Sequence, residues 1–250
     1  MKEEKYERML ERAKHLMEMA EDPAASADEA AVAWGRALML VAKYASEDAR
    51  LDRQERLNDP AVKVTVDLQP DSLSLQKADL AGVVARGNQA DVCSISYKAG
   101  SGRKVVESIT FCGTERACLQ AELIWVSMET RRAFGWRAAA HRYWIEPYAG
   151  WRDSYYEGFA CRISDRYQEL RREQGKDDSI AGAVNVPVRI RGAQVADSMR
   201  GLDPREADPP DTWFHLNADA LREGAHDAAD VILSLAELHR LSRQIESKEA

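Results

Sequence analysis

Apolar side chains recur at helical spacing in the first fifty residues and predict two amphipathic helices. Over residues 3–21 they form one stripe made of Tyr6, Met9, Leu10, Ala13, Leu16, Met17 and Ala20. Asp22-Pro23 ends this helix, and Ser26 with Glu29 three residues later forms a capping box that starts the second. The second stripe is predicted as Ala31, Trp34, Leu38, Val41 and Ala45. Because the connecting turn is short, we expect an antiparallel hairpin, followed by a short helical piece over residues 47–58.

From residue 61 the pattern changes to strict alternation, which is the period of a half-buried strand. Val62, Val64 and Val66 alternate with polar residues, and further strands are predicted at 82–85, 92–98 and 104–112. The last two are joined by the turn segment 99–102 and form a hairpin. Cys93, Ile95 and Tyr97 share one face of its first strand. These segments predict a small antiparallel sheet.

The remainder of the chain alternates between helical and irregular segments. Helices are predicted at 115–140, capped by Thr114, and at 152–174; an edge strand is predicted at 184–191 and an exposed connector at 203–211. Asn217 caps a last helix whose predicted inner stripe is Leu221, Ala225, Ala228, Ile232, Leu235 and His239. The predicted fold is α+β. Residues 1–59 form an N-terminal antiparallel helical hairpin domain, and residues 60–250 form an α+β domain in which a small antiparallel sheet packs with long helices and a C-terminal helix.

Composition narrows the class of protein. With 45% hydrophobic and 31% charged residues, the chain is an ordinary folded protein. Its net charge of -7 repels a nucleic-acid backbone on average, so any such contact would need a local basic face. The N-terminus lacks a secretion signal, and no stretch approaches the roughly 20 apolar residues of a membrane span. We therefore predict a cytoplasmic protein that makes no membrane contact.

Three segments carry a family resemblance. Residues 11–51 contain Leu16 to Ala20, Glu29-Ala30 and Ala42-Lys43-Tyr44 in the order helix, short turn, helix. This stretch resembles the domain-of-unknown-function family 2786 of actinobacteria and their phages. Residues 155–160 (Tyr-Tyr-Glu-Gly-Phe-Ala) and 224–230 (Gly-Ala-His-Asp-Ala-Ala-Asp) are similar to the α+β companion region that often follows it. The resemblance implies a bacterial or phage gene, often on a mobile element, and supplies no catalytic residues.

The sequence contains no specific motif for a catalytic, metal or nucleotide site. His215, His226 and His239 do not have metal-ligand spacing, so no metal site is predicted. Cys112 precedes a helix start that would lower a thiol pKa, but a buried cysteine facing the core is the commoner arrangement. The segment 100–102 (Gly-Ser-Gly) lacks the Lys-Ser/Thr of a phosphate loop. Catalytic residues stay unknown, and no cofactor is predicted.

The most informative segment is the arginine–aromatic stretch, residues 131–172, which contains no lysine. Its candidate binding residues are Arg131, Arg132, Trp136, Arg137, Arg142, Tyr143, Trp144 and Trp151. Guanidinium groups and rings stack on bases, pair with phosphates and anchor protein interfaces. The same residues also fill the joint between two helices when the arginines pair with nearby acids such as Glu129, Glu146, Asp153 and Glu157.

These observations predict a non-enzymatic binding protein that acts through a protein partner or through its own oligomer. The first alternative is a nucleic-acid-associated protein of phage or mobile-element biology that uses the arginine–aromatic stretch as its contact face. The second is a hydrolase with an unrecognised site, which would require a pocket gathering two carboxylates or a histidine beside a cysteine.

Overall fold

The computed structural model describes residues 2–22, 24–48, 59–100, 104–143, 149–177, 199, 216–234 and 237. In these ranges the helices are α1 (Lys2–Glu21), α2 (Ala27–Asp48), α3 (Ser74–Gly87), α4 (Glu115–Arg142), α5 (Ala149–Asp177) and α6 (Ala218–Asp227). The strands are β1 (Ala61–Asp67), β2 (Asp91–Lys98) and β3 (Lys104–Thr114). The predicted α+β fold class is confirmed.

Helices α1 and α2 form the predicted pair, and the capping box between them is present. The Ser26 backbone N donates to Glu29 Oε2 at 2.8 Å, and the Glu29 backbone N donates to Ser26 Oγ at 3.2 Å. Hydrogen bonds from the Ser26 backbone and side chain hold the pKa of Glu29 below its usual range. The buried stripe of α2 includes the predicted Val41, but its other members, Ala30, Ala33, Ala37 and Tyr44, each lie one position before the predicted ones. Small alanines allow α2 to approach its neighbours closely, and the bulky Trp34 is left at the margin.

The three strands form an antiparallel sheet in the order β1-β3-β2. Phe111 of the central strand pairs with Val64 on one side and with Val92 on the other. The strand predicted at 82–85 is wrong, because these residues belong to α3. Leu80, Ala81, Val84 and Ala85 are all fully buried at helical spacing. A four-residue apolar run has too little length to distinguish a strand from one turn of a buried helix.

Helix α4 is the centre of the molecule. Thr114 caps it by accepting a hydrogen bond from the Ala117 backbone N, as predicted. It contacts the sheet on one side, and its Trp125 ring lies 6.1 Å from the Phe111 ring. On another side it contacts α1 and α2, where Ala133 shares a small apolar cluster with Leu16 and Ala20. Residues 118–130 of α4 are buried all round except Gln120, which is typical of a core helix.

Helices α5 and α6 cross in backbone contact, and glycine permits this approach. A Cβ added at Gly158 would lie 2.8 Å from Leu221 Cα and closer still to the Leu221 carbonyl oxygen. A Cβ added at Gly224 would lie 2.9 Å from the Phe159 backbone N and closer still to the Tyr155 carbonyl oxygen. Real Cβ atoms essentially never make such contacts, so any side chain here would force the two backbones apart.

The last helix is shorter than predicted. Asn217 caps it, but α6 ends at Asp227, and its buried positions are Ala220 and Gly224 rather than Leu221 and Ala225. Tertiary hydrogen bonds take the carbonyls that a longer helix would use. Arg166 donates to the carbonyls of residues 228 and 231, and Tyr167 donates to the carbonyl of Leu233.

Several sequence predictions lie outside the described residues: most of the helical piece at 47–58, the strand at 184–191 and the connector at 203–211. The division into domains at residues 59/60 stays a prediction. In the part of the chain that the structure describes, no helix is both long and apolar enough to cross a membrane.

Candidate functional site

Part of the arginine–aromatic stretch lies where the end of α1, the start of α3 and the facing sides of α4 and α5 meet. Seven of the eight candidate residues are described, and Trp144 lies outside the described residues. Arg132 and Trp151 are fully buried, whereas Arg131, Trp136 and Arg137 are half-buried. Of the seven, only Arg142 and Tyr143 are exposed.

A buried ion pair stands at the centre of this junction. Arg132 Nη2 donates to both carboxylate oxygens of Glu129, at 2.6 and 2.8 Å, and neither side chain is exposed. Arg132 Nη2 also lies 3.3 Å from the Gln76 carbonyl oxygen, and its guanidinium lies 4.0 Å over the Tyr156 ring. Burial raises the pKa of Glu129, and the Arg132 charge opposes that rise. The pair thus holds the start of α3 and the first third of α5 against α4.

A second buried cation, Lys77, ties α3 to the end of α1. Its Nζ lies 2.8 Å from Glu21 Oε2 and 3.6 Å from Asp71 Oδ2. Burial by itself lowers the pKa of Lys77, but attraction to Glu21 and Asp71 outweighs burial, so the pKa lies above its usual value. Lys77 therefore stays charged as part of an ionic network.

Arg137 caps the C-terminal end of α1. Its guanidinium donates to the carbonyl oxygens of Ala20, Glu21 and Asp22, each at 2.9 Å. The first two are carbonyls that a helix end leaves without an intrahelical partner, whereas Asp22 lies one residue past α1 and also accepts from the Ala25 backbone N. Trp136 lies beside it, with the guanidinium groups of Arg137 and Arg152 each 5.6 Å from its ring. Burial lowers the pKa of Arg137. Its donors are committed to the chain's own backbone.

We expect Arg137→Met to lower the free energy of unfolding by about 2 kcal/mol, because three charge-assisted hydrogen bonds to helix carbonyls are lost. Amide hydrogen exchange at the end of α1 should accelerate. Arg142→Met is the matched control: its exposed guanidinium makes one ion pair, with Glu223, and the change should stay within about 0.5 kcal/mol. Equal effects of the two substitutions in urea unfolding would contradict this assignment.

Asp227 joins α4, α5 and α6 outside the buried centre. Arg131 Nη2 donates to its Oδ1 at 2.7 Å, and the Tyr155 hydroxyl donates to its Oδ2 at 2.5 Å. The Arg131 guanidinium also lies 5.0 Å over the Trp34 ring of α2. Burial raises the pKa of Tyr155 well above its usual value, so the hydroxyl keeps its proton as a donor.

Glu223 accepts hydrogen bonds from the two exposed candidate residues, Arg142 and Tyr143. Arg142 Nη1 donates to Glu223 Oε2 at 3.0 Å, and the Tyr143 hydroxyl donates to Oε1 at 2.8 Å. Trp151 is stacked on Tyr155, with ring centroids 6.0 Å apart. The arginine–aromatic stretch is thus largely used to join helices, and most of its described arginines are paired with acids or backbone carbonyls of the same chain.

The chemistry of the cysteines argues against a reactive thiol. Burial raises the pKa of Cys112 to about 11 and that of Cys118 to about 12, so the neighbouring helix start does not lower the Cys112 value. His226 is exposed, whereas His215 and His239 lie outside the described residues. Among the described residues, no group of three His, Cys, Asp or Glu side chains is arranged to hold a metal ion.

The sheet presents a second feature, on the face opposite α3 and α4. Ile95 and Tyr97 of β2 have 62% and 48% of their surface exposed. Thr65 of β1 and Thr110 of β3 share a hydrogen bond of 3.0 Å between their hydroxyls on the same face. We call these four residues the open sheet face. Strand β2 lies at the sheet edge, and no described strand pairs with its outer side.

Comparison with known proteins adds no relative. No protein-family model matches the chain, and no curated protein or solved structure matches it. The resemblance to family 2786, with its bacterial or phage setting, stays a prediction, as does the cytoplasmic location.

Proposed function

We propose that this is a non-enzymatic binding protein that takes an extended segment of a protein partner along β2, adjoining the open sheet face. The observation that carries the proposal is the pair of large apolar side chains, Ile95 and Tyr97, exposed on an edge strand. A strand edge presents unpaired backbone donors and acceptors to an added strand.

The charges beside this edge favour a particular partner segment. Lys98 and Lys104 pair with each other across the hairpin end of β2 and β3. Like charges directly opposite each other are unfavourable, and a carboxylate placed between them would relieve the repulsion. The partner segment is therefore extended, with apolar side chains opposite Ile95 and Tyr97 and an acidic residue near Lys98.

The alternatives have less support. Nucleic-acid contact needs unneutralised cations, whereas Arg131, Arg132, Arg137 and Arg142 all donate to groups of the same chain, and the net charge is -7. A thiol hydrolase needs a lowered thiol pKa, whereas the pKa values of Cys112, Cys118 and Cys161 are all raised. No described feature favours either function over protein binding.

We expect selection from a displayed library of random peptides to enrich apolar segments that carry an acidic residue. Ile95→Glu and Tyr97→Glu should each weaken the selected peptides at least tenfold, roughly the effect of removing an anchor side chain from an interface. Met39→Glu, which replaces an exposed apolar side chain of α2, is the matched control and should leave peptide affinity unchanged. Fluorescence polarisation of a labelled peptide gives both values.

The proposal would be contradicted if the selected peptides bound Ile95→Glu and wild-type protein equally well. Failure to enrich any peptide would contradict it as well. Salt-dependent binding of single-stranded DNA that survives Ile95→Glu, and that is lost in Arg142→Glu, would instead support the nucleic-acid alternative.

A further inference from the structure

Helix α2 carries an apolar stripe on the side away from the core. Its buried positions Ala30, Ala33 and Ala37 face α1 and α4, whereas Val32 and Met39, seven residues apart, point the opposite way. Their exposed fractions are 53% and 65%. Around them on the same face lie Asp28, Gly35, Arg36 and Lys43. We call these six residues the outer stripe of α2.

In the part of the chain that the structure describes, no packing contact explains the glycine of the outer stripe. A Cβ added at Gly35 would meet nothing within 4 Å, so packing within the chain does not require glycine there. Glycine is also one of the poorest helix formers, and it stands near the middle of a 22-residue helix. Among the described residues, no ion pair involves Asp28, Arg36 or Lys43. An exposed apolar stripe with a central glycine is typical of a helix that meets another helix closely.

The order of residues along the stripe matches its own reversal. If a second α2 runs antiparallel, with a two-fold axis between Gly35 and Arg36, then Val32 lies opposite the partner's Met39 and Asp28 lies opposite the partner's Lys43. Gly35 then lies opposite the partner's Arg36 and leaves room for that long side chain. A parallel, in-register pair would instead place Asp28 beside Asp28 and Lys43 beside Lys43, which is unfavourable.

We propose that a second copy of this chain covers the outer stripe, forming a two-fold dimer through antiparallel packing of α2 against α2. The inference is independent of the proposed function, because the open sheet face lies on other elements of the chain. Apolar contact between Val32 and Met39 occurs twice in this dimer, and so does the Asp28–Lys43 pair. The contacting segment 28–43 is about 22 Å long, so the interface is small and the dimer should be weak and concentration-dependent.

Sedimentation equilibrium of the full chain tests the dimer directly. We expect the wild-type chain to show a monomer–dimer equilibrium at protein concentrations below roughly 100 μM. Met39→Glu and Val32→Glu should each raise the dimer dissociation constant at least tenfold. Ile95→Glu replaces an equally exposed apolar side chain elsewhere and should leave the equilibrium unchanged. A wild-type chain that stays monomeric over this range would overturn the proposal, as would a dimer that Met39→Glu leaves intact.

Charge exchange tests the antiparallel direction. Asp28→Lys places two lysines opposite each other at both ends of the dimer and should weaken it. The double substitution Asp28→Lys with Lys43→Asp reverses both charges, restores the complementary pairs and should recover wild-type affinity. If Asp28→Lys strengthens the dimer instead, the helices run parallel and the proposed arrangement is wrong.

Disulfide trapping tests the register. In a chain with Cys161→Ser, which removes an exposed thiol, an equal mixture of Val32→Cys and Met39→Cys chains should cross-link on mild oxidation. Either variant alone should cross-link poorly, because identical positions lie about 10 Å apart along the helix axis. Cross-linking that is equally efficient in the single-variant samples would overturn the register.

Gly35→Ala separates dimerisation from folding. Alanine should raise the midpoint of thermal unfolding of the dilute, monomeric protein, because it favours the helix and its Cβ meets no described atom within 4 Å. The same change fills the space opposite the partner's Arg36 and should weaken the dimer severalfold. A dimer of unchanged or greater affinity in this variant would contradict close approach at Gly35.

Discussion

Gly224→Ala is expected to lower the free energy of unfolding by about 3 kcal/mol, although alanine is the better helix former. The added methyl group would lie 2.9 Å from the Phe159 backbone N and closer still to the Tyr155 carbonyl oxygen. Backbone atoms cannot rotate away as a side chain does, so α6 must move off α5. That movement also disturbs Asp227, which receives the Arg131 and Tyr155 hydrogen bonds.

Gly35→Ala is the matched control, since both glycines lie inside helices and both substitutions add one methyl group. Because the added Cβ meets no described atom within 4 Å, Gly35→Ala should stabilise the dilute protein by about 1 kcal/mol. Urea unfolding of the two variants therefore gives changes of opposite sign. Stabilisation by Gly224→Ala would show that the α5–α6 crossing is not in backbone contact.

Arg132→Met is expected to lower the free energy of unfolding by about 4 kcal/mol at neutral pH. This destabilisation exceeds the stabilising free energy of the ion pair itself. Removing the arginine leaves the Glu129 carboxylate buried without its paired cation, and Lys77 is a remaining cation nearby. Replacing both partners, as in Glu129→Met with Arg132→Met, removes the uncompensated charge and should return stability to within about 1 kcal/mol of wild type. A double variant no more stable than Arg132→Met would contradict this explanation.

The pH dependence of Arg132→Met has a definite sign. Burial already raises the pKa of Glu129 in the folded chain, and loss of the arginine raises it further. A carboxyl with a raised pKa binds protons more tightly when folded, so its unfavourable effect is greatest above the folded pKa and disappears as pH falls toward the unfolded value of about 4.3. The deficit relative to wild type should therefore be smaller at pH 5 than at pH 8. Urea unfolding at both pH values measures it, and a deficit that grows on acidification would contradict the assignment.

Local patterns predicted most elements of the fold because those elements depend on neighbours in sequence. The Ser26–Glu29 capping box, the Thr114 cap and the strand alternation of Val62, Val64 and Val66 involve residues at most four apart, and the structure has each of them. Helix α3 was missed because its residues 82–85 have the same apolar composition as a short strand. The early end of α6 was missed because Arg166, 62 residues away, takes the carbonyl of residue 228.

Composition alone could not decide whether the arginine–aromatic stretch is a binding surface or a buried helix junction. Arg137 finds its acceptors 115 to 117 residues earlier in the chain, and Arg131 finds Asp227 96 residues later. No local pattern encodes such distances. Arginine and tryptophan suit a binding surface and a buried helix junction equally well, so only their tertiary partners separate the two roles. Ile95 and Tyr97 did share their predicted face, but only their exposure in the structure identifies them as part of a surface.

The central place of β3 has a consequence for synthesis on the ribosome. Among the described strands, β1 and β2 each pair only with β3, and 47 residues separate the end of β1 at Asp67 from the end of β3 at Thr114. At usual translation speeds β1 waits roughly 2–9 s for its partner. During that interval β1, which carries Val62, Val64 and Val66, has no strand to pair with. Strands β2 and β3, by contrast, can close as a hairpin as soon as they emerge. The sheet is therefore completed only when β3 pairs with β1, the strand that was synthesised first.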